Sequence, residues 1–70
     1  MWRTIDGFSN YEVSINGEIR NRTTLKVLKI RKSKGGNDMC LLVNNNKYRE
    51  WVYIQYRMDA VFTMDEIINN

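Results

Sequence analysis

The chain has 70 residues, with 11 lysines and arginines against eight aspartates and glutamates, one cysteine, no histidine and no proline. A chain this short makes one small domain, whose apolar core alone leaves only about 3–5 kcal/mol of net stability. A lone cysteine without histidine excludes an internal disulfide, Cys/His metal sites and histidine-assisted nucleophiles, and with them most enzyme classes.

With proline absent, glycine and asparagine must make the turns. Trp2 to Ile5 opens the chain as a short apolar-polar segment, and Gly7-Phe8-Ser9-Asn10 predicts a turn. A strand is expected from near Tyr11 to Ile15. Asn16-Gly17 then gives the strongest hairpin signal of the chain and leads into Glu18-Ile19-Arg20. Asn21 to Thr24 marks a second turn, Leu25 to Arg31 a third strand, and Lys34-Gly35-Gly36-Asn37 a further break. Met39 to Val43 is β-prone, Asn44 to Lys47 closes it with a turn, and Tyr48 to Tyr53 supplies the next strand.

The pattern then changes period. Ile54, Met58, Val61 and Phe62 recur at i, i+4, i+7 and i+8, which predicts a helix from about Ile54 to Phe62 with its apolar stripe on the sheet. Thr63-Met64-Asp65-Glu66 has the form of a capping box, with too little chain after it for an independently stable helix. The expected fold is α+β: one small, mostly antiparallel sheet carrying one C-terminal helix, a single domain over residues 1–70.

Charge is concentrated rather than spread. Between Arg20 and Lys34 lie seven basic residues (Arg20, Arg22, Lys26, Lys29, Arg31, Lys32, Lys34) and no acidic one, whereas the rest of the chain sums to −4. Local basic density is what a polyanion binder needs. Between the cations stand Thr23, Thr24, Leu25, Val27, Leu28 and Ile30. On an extended strand Arg20 and Arg22 share a face, as do Lys29 and Arg31, while Leu28, Ile30 and Lys32 take the other. That alternation predicts one wet positive face and one largely buried face. No apolar run approaches the ~18 residues of a membrane span, and Met1-Trp2-Arg3-Thr4 lacks the form of a secretory signal. An intracellular protein with no membrane partner and a reduced thiol is expected.

Trp2-Arg3-Thr4-Ile5, Gly7-Phe8-Ser9-Asn10-Tyr11-Glu12-Val13-Ser14 and Asn16-Gly17-Glu18-Ile19-Arg20-Asn21 together resemble the type-four NUMOD motif, a nuclease-associated modular DNA-binding domain. It occurs at the front of phage and giant-virus HNH homing endonucleases. Ile15 stands where that family usually has asparagine, and in Thr24-Leu25-Lys26-Val27-Leu28-Lys29 the residue Leu25 replaces a turn glycine. Gln55 to Phe62 is similar to the family's H-R-L-V-A-x-A-F helix, with Gln55 at the histidine position. In the family the nuclease core follows this helix, and the chain ends at Asn70 before it. The resemblance thus implies a DNA-binding front end without cleavage. No histidine serves as general base, no cofactor is expected, and Asp59, Asp65 and Glu66 read as solvated or capping rather than as ligands of Mg²⁺.

A β-ribbon fits the major groove, so the expected partner is double-stranded DNA. Arg20, Arg22, Lys26, Lys29, Arg31, Lys32 and Lys34 would meet the backbone, and Asn21, Thr23 and Thr24 would read bases. Trp2, Phe8 and Tyr11 are expected to pack inside the module, and an exposed Trp51 would mark a binding surface. A different class of function competes: an inhibitor encoded by a phage, binding a host protein such as a CRISPR or restriction nuclease or a polymerase. The acidic remainder of the chain would serve that role. Unpaired sheet edges also invite a homodimer.

Overall fold

The computed structural model describes residues 1–69. Strands β1 (Trp2–Ile5) and β2 (Phe8–Ser14) pair antiparallel across Asp6-Gly7, and β3 (Ile19–Asn21) pairs on the other edge of β2. Gly7 takes φ 81°, a left-handed conformation that a side chain resists, and this closes the connection in two residues. The turn expected at Gly7 to Asn10 therefore lies earlier, and the strand expected from Tyr11 starts at Phe8. Phe8 pairs with Ile5 and both are buried, so extending the strand places two large apolar side chains in the core.

The second hairpin forms at Asn16-Gly17, but β2 stops at Ser14 and β3 begins at Ile19, which leaves a four-residue loop. The N–H groups of Asn16 and Glu18 donate to the buried Ser14 hydroxyl at 3.2 and 3.1 Å, and the Ser14 N–H donates to the Glu18 carbonyl at 2.8 Å. This register sets Val13 opposite Ile19 and Glu12 opposite Arg20. A two-residue loop would have set Val13 against Arg20 and mixed the wet face with the dry one.

A second antiparallel sheet holds β4 (Arg31–Lys32), β5 (Asp38–Val43) and β6 (Arg49–Tyr53), in that order. The single sheet expected from sequence is thus two sheets of three strands. The strand expected over Leu25 to Arg31 is not there: Val27 makes an isolated bridge to Arg20, and only Arg31 and Lys32 join a ladder. Leu25 sits at φ 63°, outside the extended region, and the chain from there leaves one sheet for the other. No neighbouring strand serves its alternation throughout, so Leu25, Val27 and Ile30 are exposed and only Leu28 packs on the core. The buried face expected for Leu28, Ile30 and Lys32 reduces to Leu28.

Helix α1 (Ile54–Val61) follows β6 directly and packs against β1, β2, β5 and β6, so it closes both sheets at once. Ile54, Met58 and Phe62 form its buried stripe, as their spacing predicts. They meet Ile5, Phe8, Val13, Ile15 and Ile19 from the first sheet and Cys40, Leu42 and Val52 from the second. Ile15, which replaces the usual asparagine of the resembling motif, is one of these core residues. Polar ties reinforce the join: the Asn45 N–H donates to the Gly7 carbonyl at 2.9 Å, and Ser9 donates through both N–H and hydroxyl to the Asn45 side-chain oxygen.

The capping box is present and starts a second short helix, α2 (Met64–Ile68), where sequence predicted one helix only. A segment of five residues cannot hold itself helical. Arg3 supplies the missing support: its guanidinium donates two parallel hydrogen bonds to the Glu66 carboxylate at 2.9 and 2.6 Å and a third to the Val61 carbonyl. No helix among the described residues is long and apolar enough to cross a membrane.

Candidate nucleic-acid interface

The basic run from Arg20 to Lys34 is the connector between the two sheets, and its course is fixed by backbone bonds. The Leu25 N–H donates to the Asn21 carbonyl, the Asn21 N–H to the Lys26 carbonyl and the Leu28 N–H to the Ile19 carbonyl, at 2.8, 3.0 and 2.8 Å. Side chains complete the turn. The Asn21 Oδ1 accepts from the N–H groups of Thr23 and Thr24, and the Thr24 hydroxyl accepts from the Lys26 N–H. Two of the three residues expected to read bases therefore build the loop, while Thr23 lies exposed at its tip.

The cations divide by what they touch. Arg20 is half-buried, donates from Nε to Glu12 at 2.7 Å and lies 4.0 Å from the centre of the Trp2 ring. Trp2 and Arg20 sit on the face of the first sheet turned away from α1, so Trp2 packs under an arginine at the rim rather than in the core. Phe8 is buried and Tyr11 packs against the core, as expected. Arg22 is exposed and donates to the Ser9 carbonyl at 2.9 Å. Lys32 pairs with Asp38 across the β4–β5 ladder at 2.7 Å. Lys26, Lys29, Arg31 and Lys34 are exposed, and among the described residues their side chains have no ionic or hydrogen-bond partner.

Of these, Lys29 and Arg31 come together. With Leu28, Leu41 and Trp51 they line an open cleft of about 400 Å³, floored by Cys40. The Cys40 thiol donates to the Lys29 carbonyl at 3.4 Å, and burial pushes its pKa up, which keeps it a neutral thiol beside the cations. Arg31 also heads a row across the second sheet, Arg31-Met39-Tyr53, followed by Leu41-Trp51 and Val43-Arg49. All these residues alternate with the buried Cys40, Leu42 and Val52, so they share the outer face. Arg49, Trp51 and Tyr53 carry no site expectation from charge clustering alone. Their signal was the period-two alternation of β6, which joins them on one face opposite Val52 but does not say which face is buried.

A larger cleft of about 550 Å³ opens between the β2–β3 loop, the β4–β5 turn and the start of α1. Its charged lining among the described residues is Asp38, with Tyr53 beside it and no lysine or arginine, so its charge does not suit a phosphate chain. Among the described residues no group of three or more aspartate, glutamate, cysteine or histidine side chains is placed to hold a metal ion.

The family model described as the NUMOD4 motif matches residues 1–57. No curated protein and no solved structure matches the chain. The matched stretch takes in both sheets, the connector with its free cations and the first half of α1.

Proposed function

The chain belongs to the NUMOD4 motif family, and from that premise we propose that it binds duplex DNA through the basic connector between its two sheets. NUMOD4 is a motif associated with DNA binding. The observation that carries the reading is the set of exposed, unpartnered cations Lys26, Lys29, Arg31 and Lys34 on a backbone-pinned segment. Pinning matters because the side chains then reach phosphates without first ordering a loop. Arg22 is exposed and its guanidinium holds the Ser9 carbonyl, so it braces the start of the segment rather than joining the four. Asn21 and Thr24 shape the turn, Thr23 is the polar group free for a base edge, and Arg20 and Lys32 frame the segment through their ion pairs.

The same reading makes the protein an intracellular viral or phage DNA-binding module with no nuclease activity of its own. An HNH-type cut needs a general base to activate water, and this chain supplies no histidine for it. Fluorescence anisotropy of a labelled duplex of arbitrary sequence, titrated at several salt concentrations, tests the proposal. Four phosphate contacts give a slope of log affinity on log salt near about −3.6. A slope near zero, or no binding at low salt, overturns it.

A further inference from the structure

We infer that the outer face of the second sheet is a stacking platform for unpaired bases, so that the protein also binds single-stranded DNA. Trp51 and Tyr53 are each about half exposed (49% and 50%), and they lie two residues apart on β6 with their side chains on one face. Leu41 and Met39, their cross-strand partners, level the surface between them. Among the described residues no element covers this face: α1 packs on the opposite side, against the layer of Cys40, Leu42 and Val52. An exposed patch of this kind calls for a partner.

Charge on the face says which partner. Arg31 stands at one end, Arg49 at the other, and Lys29 at the cleft beside Trp51, all without an ionic partner among the described residues. Two acids lie near, one on the opposite face of β6 and one, Asp38, in the cleft that Tyr53 also lines. Glu50 alternates to the other side and accepts from the Asn44 amide at 2.8 Å, and Asp38 is neutralised by Lys32. Aromatic rings between unpaired cations match a chain of π-faced bases on a phosphate backbone, and a hydrophobic protein surface would leave those cations unpaired. Spacing decides the strandedness. Residues i and i+2 of a strand are about 6.7 Å apart, twice the 3.4 Å rise of a duplex strand, so neighbouring bases reach both rings only when stretched and unstacked. A paired duplex presents its backbone and base edges, not its base faces.

The inference does not depend on duplex binding by the connector, and the test separates the two. A labelled oligothymidylate and a labelled duplex are titrated in parallel with the parent chain and with Trp51→Ala, Tyr53→Ala and Trp51→Phe, each checked by circular dichroism. Loss of one stacking ring weakens oligothymidylate binding by about 5- to 150-fold, Trp51→Phe retains most of it, and duplex affinity changes by less than about threefold. A parent chain that fails to bind oligothymidylate overturns the inference, whatever it does with duplex. So does equal binding by the alanine variants. Sedimentation of the parent and of Trp51→Glu adds the remaining occupant: a dimer abolished by Trp51→Glu, with no oligothymidylate binding, assigns the face to a second copy of the chain. Binding of duplex alone keeps the connector proposal and removes this one, and binding of oligothymidylate alone does the reverse.

Discussion

Replacing Lys29 and Arg31 together by alanine halves the set of four unpartnered cations on the connector, and the salt dependence of duplex binding reads that change directly. Four phosphate contacts give a slope of about −3.6, and two give about −1.8. Between 50 and 200 mM salt, the parent affinity should then fall about 150-fold and that of the double variant about 12-fold. Neither side chain contributes to the core, so folding should be unaffected and the two proteins can be compared at one temperature. The assay is anisotropy of one labelled duplex over that salt range, with the slope, not the affinity at one salt, as the readout. Arg20→Ala is the control: its charge is already matched by Glu12, so its slope stays within about 0.5 of the parent. A double variant with the parent's slope, or an Arg20 variant that loses more slope than the double one, would show that the free and paired cations have been assigned the wrong way round.

Two further outcomes concern the fold. Glu66 is held at a pKa of about 2, chiefly by the hydrogen bonds from Arg3 and then by the Thr63 N–H. A carboxylate depressed in the folded state stabilises it above its unfolded value near about 4.3, and that support is lost as pH falls through about 2. Carbon-detected NMR titration of Glu66 should give that low midpoint, and Arg3→Ala should return it toward the ordinary carboxylate value while amide protection across Met64–Ile68 disappears. An unchanged midpoint would mean that Arg3 does not hold α2. Leu25 is the other case: its left-handed φ of 63° costs a residue with a side chain about 1–2 kcal/mol, against about 0.5–1 kcal/mol of extra backbone entropy for glycine. Leu25→Gly should therefore be tolerated, with a gain of between zero and about 1.5 kcal/mol in urea unfolding, and a loss of about 1 kcal/mol would refute the strain.

Local signals in the sequence located most elements, and the failures share a cause. The Asn16-Gly17 turn, β5, the Asn44–Lys47 turn, β6, the stripe of α1 and the Thr63–Glu66 box are each set by residues a few positions apart. Asp6-Gly7 carried the same kind of hairpin signal, and it was masked by the polar Ser9-Asn10 that follows Phe8. What no local pattern contains is the partner of a segment. Leu25 to Ile30 alternates like a strand, but it spans the gap between two sheets, so its apolar residues stay in water. Leu25 at a position where glycine is usual was the one visible warning, because a turn that needs a left-handed residue ends a ladder whatever follows. The division into two sheets was likewise hidden, since each is a three-stranded antiparallel sheet with the same period.

The candidate site shows the same limit in its charges. The run from Arg20 to Lys34 reads as +7, but two of its cations meet acids that lie outside it, Glu12 and Asp38, so the sequence overstates what is free to bind. Half of the six arginines serve packing: Arg3, Arg20 and Arg57 lie over the rings of Phe62, Trp2 and Phe8 at 4.7, 4.0 and 5.0 Å. Their planar cations cover aromatic faces that a chain of this size cannot otherwise bury. Arg31 and Arg49 are the contrast, since each shares a face with exposed rings yet neither has a cation–ring or ionic partner among the described residues. A cation that stabilises its own fold must be quenched before any ligand arrives, and one that recruits a polyanion must not be. Removal of the first kind should therefore appear in unfolding curves and of the second kind in salt slopes, and a variant of Arg31 or Lys29 that shifted stability while leaving the slope intact would contradict that division.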